Sequence, residues 1–149
     1  MTEFKPRPPV VLMVEDNPDD QDLARIANRQ LARPRDLVVV DDGVEALDYL
    51  ERAAGTTPGD ARTPDLLLVD LAMPRMDGQT LLKYIRSHAK LCRIPVVMFT
   101  TSTADADVRR CYELGCNSYI VKPMSIHSLR DLLGTLNSYW FGCVRLPAS

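Results

Sequence analysis

Five side chains able to do acid–base or ligand chemistry each follow directly on an apolar run. Glu15 and Asp16 come after residues 10–14, Asp70 after 66–69, Thr100 after 94–99 and Lys122 after 118–121. Singly, each reads as an ordinary polar residue closing a strand, the bland reading for positions in loops. Gathered at one rim, they make three carboxylates, a hydroxyl and an ammonium. Like charges at that density raise one another's pKa unless a cation offsets them. Mg2+ suits such a set, because it takes about six oxygen ligands, keeps several waters and uses only one or two carboxylates directly. With the metal and Lys122 the pocket comes near neutrality and can receive a phosphoryl group, its oxygens stabilised by the metal, Lys122 and the Thr100 hydroxyl. A carboxylate is a competent nucleophile at phosphorus. Charge alone does not say which of Glu15, Asp16 and Asp70 attacks.

The elements that must position these groups alternate along the chain. Apolar runs at 10–14, 37–40, 66–69, 94–99 and 118–121 predict strands. Helical spacing predicts helices over about 19–31, 43–54, 80–88, 104–114 and 125–139, the fourth closed by Gly115. Five strands and five helices in strict alternation mean βαβ crossovers and a parallel sheet covered on both faces. The fold class is therefore α/β, a flavodoxin-like (βα)5 doubly wound sheet with strand order 2-1-3-4-5. In that order the third strand lies between the first and fourth, which puts Asp70 at the centre of the carboxyl-end rim where open sheets bind ligands.

Composition bounds the rest. With 46% hydrophobic and 26% charged residues the chain reads as one ordinary globular domain, neither disordered nor fibrous. Eighteen basic against twenty acidic residues leave no excess charge for gripping nucleic acid or a membrane surface, and a cytoplasmic location is expected. Residues 1–9, MTEFKPRPP, read as a flexible arm, 10–140 as the domain and 141–149 as an apolar extension. Of the four cysteines only Cys92 has a histidine at ligand spacing, His88, and two further zinc ligands are lacking, so reduced thiols packed as small hydrophobes are expected.

Four segments in order, VLMVEDNPDD at 11–20, DLLLVDLAMPRMDG at 65–78, IPVVMFTTS at 94–102 and NSYIVKP at 117–123, resemble the receiver domain of two-component response regulators, over residues 10 to about 140. The acidic pair followed by NPDD and the aromatic end YWFGCVRLP resemble the phytochrome-associated single-domain regulators of that family. The resemblance implies that Asp70 accepts a phosphoryl group from a sensor histidine kinase, a phytochrome-like one on the narrower match. Asp16 and Asp70 would then bind Mg2+ directly, Glu15 would reach it through water, and Ala72 would offer its backbone carbonyl. It further implies that Lys122 pairs with the phosphoryl oxygens, that Thr100 moves to hydrogen-bond them, that Tyr119 turns inward as Thr100 moves, and that the Lys122–Pro123 bond is cis.

Two positions depart from the commonest pattern: Glu15 stands for Asp, and Ala72 replaces a polar side chain that could orient hydrolytic water. Ala72 also argues against a haloacid-dehalogenase-like aspartyl-phosphate phosphatase, whose general acid belongs two residues after the nucleophile. A pseudo-receiver that never carries phosphate would lack an acidic residue, the threonine or the lysine, all of which are present. A flavodoxin would want a hydroxyl- or amide-rich loop where this chain is acidic. No output module is expected after residue 140. In the last helix one apolar stripe suffices to cover the sheet. That stripe runs Ile126, Leu129, Leu133, Leu136 and Trp140. The second set, Leu132, Tyr139 and Phe141, with Val144 and Leu146 of the tail and Trp140 at the stripe's end, gives the candidates for a homodimer surface, the alternative being a tail folded back on its own domain.

Overall fold

The computed structural model describes residues 8–147; most of the expected N-terminal arm lies outside the described residues, as do the last two residues of the extension. Strands β1 (Val10–Val14), β2 (Asp36–Val40), β3 (Leu66–Val69), β4 (Val96–Thr100) and β5 (Ser118–Val121) alternate with helices α1 (Pro18–Arg29), α2 (Gly43–Ala54), α3 (Gly78–Ser87), α4 (Asp105–Glu113) and α5 (Ile126–Asn137). All strand pairs are parallel and the order is β2-β1-β3-β4-β5, the expected doubly wound arrangement.

Strand periodicity divides the core. Leu12 and Val14 of β1, Leu67 and Val69 of β3, and Val96 and Met98 of β4 face one side, where Ala46, Leu50, Leu81, Leu82, Ile85 and Cys111 of α2, α3 and α4 cover them. The alternate residues Val11, Met13, Leu66, Leu68, Val97 and Phe99 face α1 and α5, against Ala24, Ala27, Leu129 and Leu136. Central strands buried on both faces read as continuous apolar runs for this reason.

The helix starts follow cap chemistry. Asn17 Oδ1 accepts from the backbone N–H groups of Asp19 and Asp20, with Pro18 opening α1 where its missing N–H costs nothing. Asp42, Asp77 and Ser125 cap α2, α3 and α5 in the same manner. Most element boundaries lie within two residues of expectation. The final helix differs most: α5 ends at Asn137 and the chain widens into a π-type turn over Ser138–Cys143. That turn carries Trp140, only 9% exposed, into the α1/α5 side of the core, with Leu132, Phe141, Val144 and Leu146 packed against the same cluster. Of the candidate dimer residues Tyr139 alone is largely exposed, at 54%. Trp140 ends the apolar stripe expected to cover the sheet and is buried as that stripe implies, whereas the packing of Phe141, Val144 and Leu146 follows the alternative of a tail folded back on its own domain.

The Lys122–Pro123 bond also departs from expectation. No cis peptide bond occurs among the described residues, in line with the ordinary trans preference of X–Pro bonds. His88, the histidine at ligand spacing from Cys92, accepts at Nδ1 from the backbone N–H groups of Lys90 and Leu91 and so caps a turn. Cys111 and Cys116 are buried thiols, as expected, whereas Cys143 is exposed. Among the described residues no helix is long and apolar enough to cross a membrane.

Candidate functional site

The carboxyl ends of β1, β3, β4 and β5 meet at one rim. Parallel pairing puts Val14 beside Val69 and Thr100 beside Val121, so the residues that follow, Glu15, Asp70 and Lys122, converge. Carboxylate oxygens of Glu15, Asp16 and Asp70 lie within 4.8 Å of one another. Three hard, anionic oxygen donors at that spacing are the donor set that suits a divalent cation such as Mg2+ or Mn2+. Glu15 is 1% exposed and Asp70 8%, whereas Asp16 is open to solvent.

Lys122 reaches into this cluster. Its Nζ lies 2.5 Å from Glu15 Oε2 and 2.9 Å from Asp70 Oδ2, and its side chain is 9% exposed. A third carboxylate, Asp20 Oδ2 on the first turn of α1, stands 3.2 Å away. Asp20 is not among the site residues that the sequence singled out. The available signal was its spacing: a first-turn side chain just past the β1 loop points back over the rim.

The electrostatics follow from burial and from these contacts. Burial pushes the Glu15 carboxyl up to about 7; the charge of Asp70 adds to that and the hydrogen bond from Lys122 opposes it. Burial would lower the Lys122 ammonium, but hydrogen bonds to Glu15 and Asp70 outweigh it and hold the group above the usual lysine range. Asp70 keeps one oxygen on Lys122 while Oδ1 accepts from the Leu71 N–H at 2.7 Å.

The rim is braced from outside. Gly78, at the start of α3, donates its N–H to Leu71 O, and a Cβ there would run into the carbonyl oxygen of Asp70. Arg75, in the left-handed region at φ 65°, places Nε 2.7 Å from the buried Asp42 Oδ2 and ties the β3–α3 loop to the head of α2. The Asp42 carboxyl, despite burial, is held below its ordinary range by the Glu45 backbone N–H and Arg75. Gln21 donates Nε2 to Glu15 O and Asp41 Oδ1, locking the turn after β1. None of these supports was singled out in the sequence, because each depends on a partner distant in the chain or on backbone proximity.

Thr100 is 2% exposed at the end of β4. Tyr119, paired with Met98 across the β4–β5 ladder, packs partly buried on the α2/α3/α4 side and donates its hydroxyl to Ser102 O at 2.8 Å. Thr100 thus leads into residues 101–104, and Tyr119 reaches the same loop through its hydrogen bond to Ser102. Ala72 is solvent-exposed on the β3–α3 loop.

Comparison with known proteins agrees with this geometry. The family model described as the response regulator receiver domain matches residues 11–134. The "Probable methanogenesis regulatory protein FilR2" of Methanothrix harundinacea is 38% identical over 140 residues, covering 94% of this chain and 88% of that protein. The response regulator Rcp1 of Synechocystis is 34% identical over the whole of both chains, and its Mn2+-bound crystal structure superposes with a TM-score of 0.80, covering 95% of this chain and all of that one. The phosphorylated cyanobacterial phytochrome response regulator RcpA is 33% identical, with a TM-score of 0.84 over 96% of this chain and 100% of that one.

Proposed function

The chain belongs to the response regulator receiver domain family of two-component signalling, and on that footing we propose that Asp70 is its phosphoacceptor. The observation that carries this reading is the Lys122 ammonium 2.9 Å from Asp70 Oδ2, beside three carboxylates close enough to share a cation. In the proposed reaction an Asp70 oxygen attacks the phosphorus of a phosphohistidine on a sensor kinase. The O–P bond forms as the P–N bond breaks, and the departing imidazole nitrogen takes a proton.

Asp16 and Asp70, with Glu15 through water and the Ala72 carbonyl, would hold Mg2+, which when bound neutralises charge on the phosphoryl oxygens. The Mn2+-bound form of Rcp1 supports a divalent ion in a relative's site. Lys122 turns an N–H to the phosphoryl group. The Thr100 hydroxyl then moves toward it, and Tyr119 fills the space vacated beside the 101–104 loop. A buried side chain biased by new charge, coupled to a ring with two resting places, makes a two-state switch. The kinase is a phytochrome-like sensor on the strength of the relatives RcpA and Rcp1. The active form is a homodimer through the C-terminal helix and turn, with Tyr139 as the exposed contact.

Intact mass after incubation with Mg2+ and acetyl phosphate tests the acceptor. One phosphoryl mass gain is expected, lost in EDTA and lost in Asp70→Asn. A gain that survives Asp70→Asn moves the acceptor elsewhere. No gain from either acetyl phosphate or a sensor kinase favours a pseudo-receiver.

A further inference from the structure

We propose that Asp20 is a positioning residue for phosphoryl transfer, whose carboxylate occupies the third N–H of Lys122 in the unphosphorylated protein and yields it to the phosphoryl group. The proposal rests on Asp70 as the acceptor. A lysine ammonium has three N–H donors and no acceptor. Three carboxylate oxygens surround it here, Glu15 at 2.5 Å, Asp70 at 2.9 Å and Asp20 at 3.2 Å. The ammonium is saturated, so a phosphoryl oxygen can reach it only by displacing one of the three.

The three are not equally displaceable. Glu15 is 1% exposed, and its other oxygen accepts from the Asn17 N–H at 3.1 Å, so leaving Lys122 would strand a buried charge. Asp70 is the acceptor itself and stays in place, its Oδ1 held by the Leu71 N–H. Asp20 makes the longest contact, and its side chain is 36% exposed, so water can replace Lys122 on its carboxylate at little cost. Asp20 also sits in the first turn of α1, where the helix dipole favours its negative charge without Lys122. In this role it opposes the incoming group in two ways: it draws Lys122 off the line to the phosphorus and adds a fourth negative charge at the pocket mouth. Charge of one sign in a cleft changes the encounter rate of a charged ligand by tenfold or more. Asp20 therefore acts as a brake on phosphorylation, released each time Lys122 turns.

The test uses the full chain with Asp20→Ala and Asp20→Glu, read in two ways. In the first, acetyl phosphate and Mg2+ label the protein: the P–O bond to acetate breaks, the Asp70 O–P bond forms and acetate leaves. Asp20→Ala is expected to label about threefold faster or more, and Asp20→Glu at the wild-type rate. In the second, the metal-free protein is briefly acylated with acetic anhydride, and Lys122 modification is measured by peptide mass against Lys83 and Lys90. Lys122, released from one of its three carboxylates, is expected to react at least about twofold faster in Asp20→Ala relative to the two reference lysines. A general loss of structure would raise all three together. Equal or slower labelling in Asp20→Ala, or an unchanged Lys122 ratio, overturns the proposal. Failure of the acceptor reading shows separately, as a wild-type protein that is not labelled or an Asp70→Asn that is, and it leaves the lysine ratio readable.

Discussion

Glu15 sits in a conflict that titration can expose. Its carboxyl is buried, and in the metal-free protein burial pushes its pKa from 4.5 up to about 7. A carboxyl with a raised pKa in the fold binds its proton more tightly there than in the unfolded chain, so between about pH 4.5 and 7 its contribution to stability falls as pH rises. Glu15→Gln cannot lose that proton. In EDTA the melting temperature of Glu15→Gln minus that of wild type is therefore expected to climb between pH 5 and 8, by a few degrees for a chain of this size. A flat difference would mean that Lys122 already compensates the ionised carboxylate. Ala72 poses a different question. With no polar side chain there to orient water, Ala72→Asn is expected to change the dephosphorylation rate, and an unchanged half-life of the aspartyl phosphate would remove position 72 from the account.

Among the elements, α3 does most to hold the acceptor in place. Its first residue leaves no room for a Cβ over the Asp70 carbonyl. Gly78→Ala is therefore expected to cost about 1–3 kcal/mol by overpacking, seen in denaturant titration, and to slow phosphoryl labelling as β3 and α3 move apart. At the other end of α3, Arg86 donates to the carbonyls of Gly115, Cys92 and Ile94 and to Asn117 Oδ1. This half-buried cation has carbonyl acceptors in place of a carboxylate, and desolvation lowers its pKa accordingly. It ties α3 to the segments that lead into β4 and β5, the strands that carry Thr100 and Lys122. Arg86→Met leaves those acceptors unpaired and is expected to cost about 2 kcal/mol or more, with Asp70 chemistry kept wherever the variant is folded. The motifs of the sequence hold neither effect. Gly78 looks like a loop glycine until α3 is laid against β3, and Arg86 looks like one more surface charge on an amphipathic helix.

For the whole molecule, most of the C-terminal set read as a homodimer surface packs on its own domain. Trp140, Phe141 and Val144 close the α1/α5 side of the core, and Arg35 stacks its guanidinium 4.8 Å above the Phe141 ring. Trp140→Ala is thus expected to destabilise the protein by about 3 kcal/mol or more, whatever the oligomeric state. Tyr139, stacked edge-on against Trp140 but exposed, is the candidate contact of the proposed homodimer. Sedimentation is expected to show a dimer for wild type and a monomer for Tyr139→Lys at an unchanged melting temperature. A Tyr139→Lys dimer would place the interface elsewhere.

The alternation of apolar runs and helical stripes carried the fold into view before any coordinates. Side-chain period 2 in strands and 3.6 in helices is written locally, and parallel strands need helical crossovers between them. The acidic pair, Asp70, Thr100 and Lys122 were legible for a related reason: in such a sheet every strand's carboxyl end points to the same rim. Asp20 on Lys122 was not legible, because that contact joins residues 102 positions apart, one in the first turn of α1 and one just after β5. The same holds for Asp42 under Arg75, for Gly78 against Asp70 and for the π-type turn that packs Phe141 and Val144 on the core. Each is settled by the packing of elements against one another, at ångström distances that no period along the chain encodes.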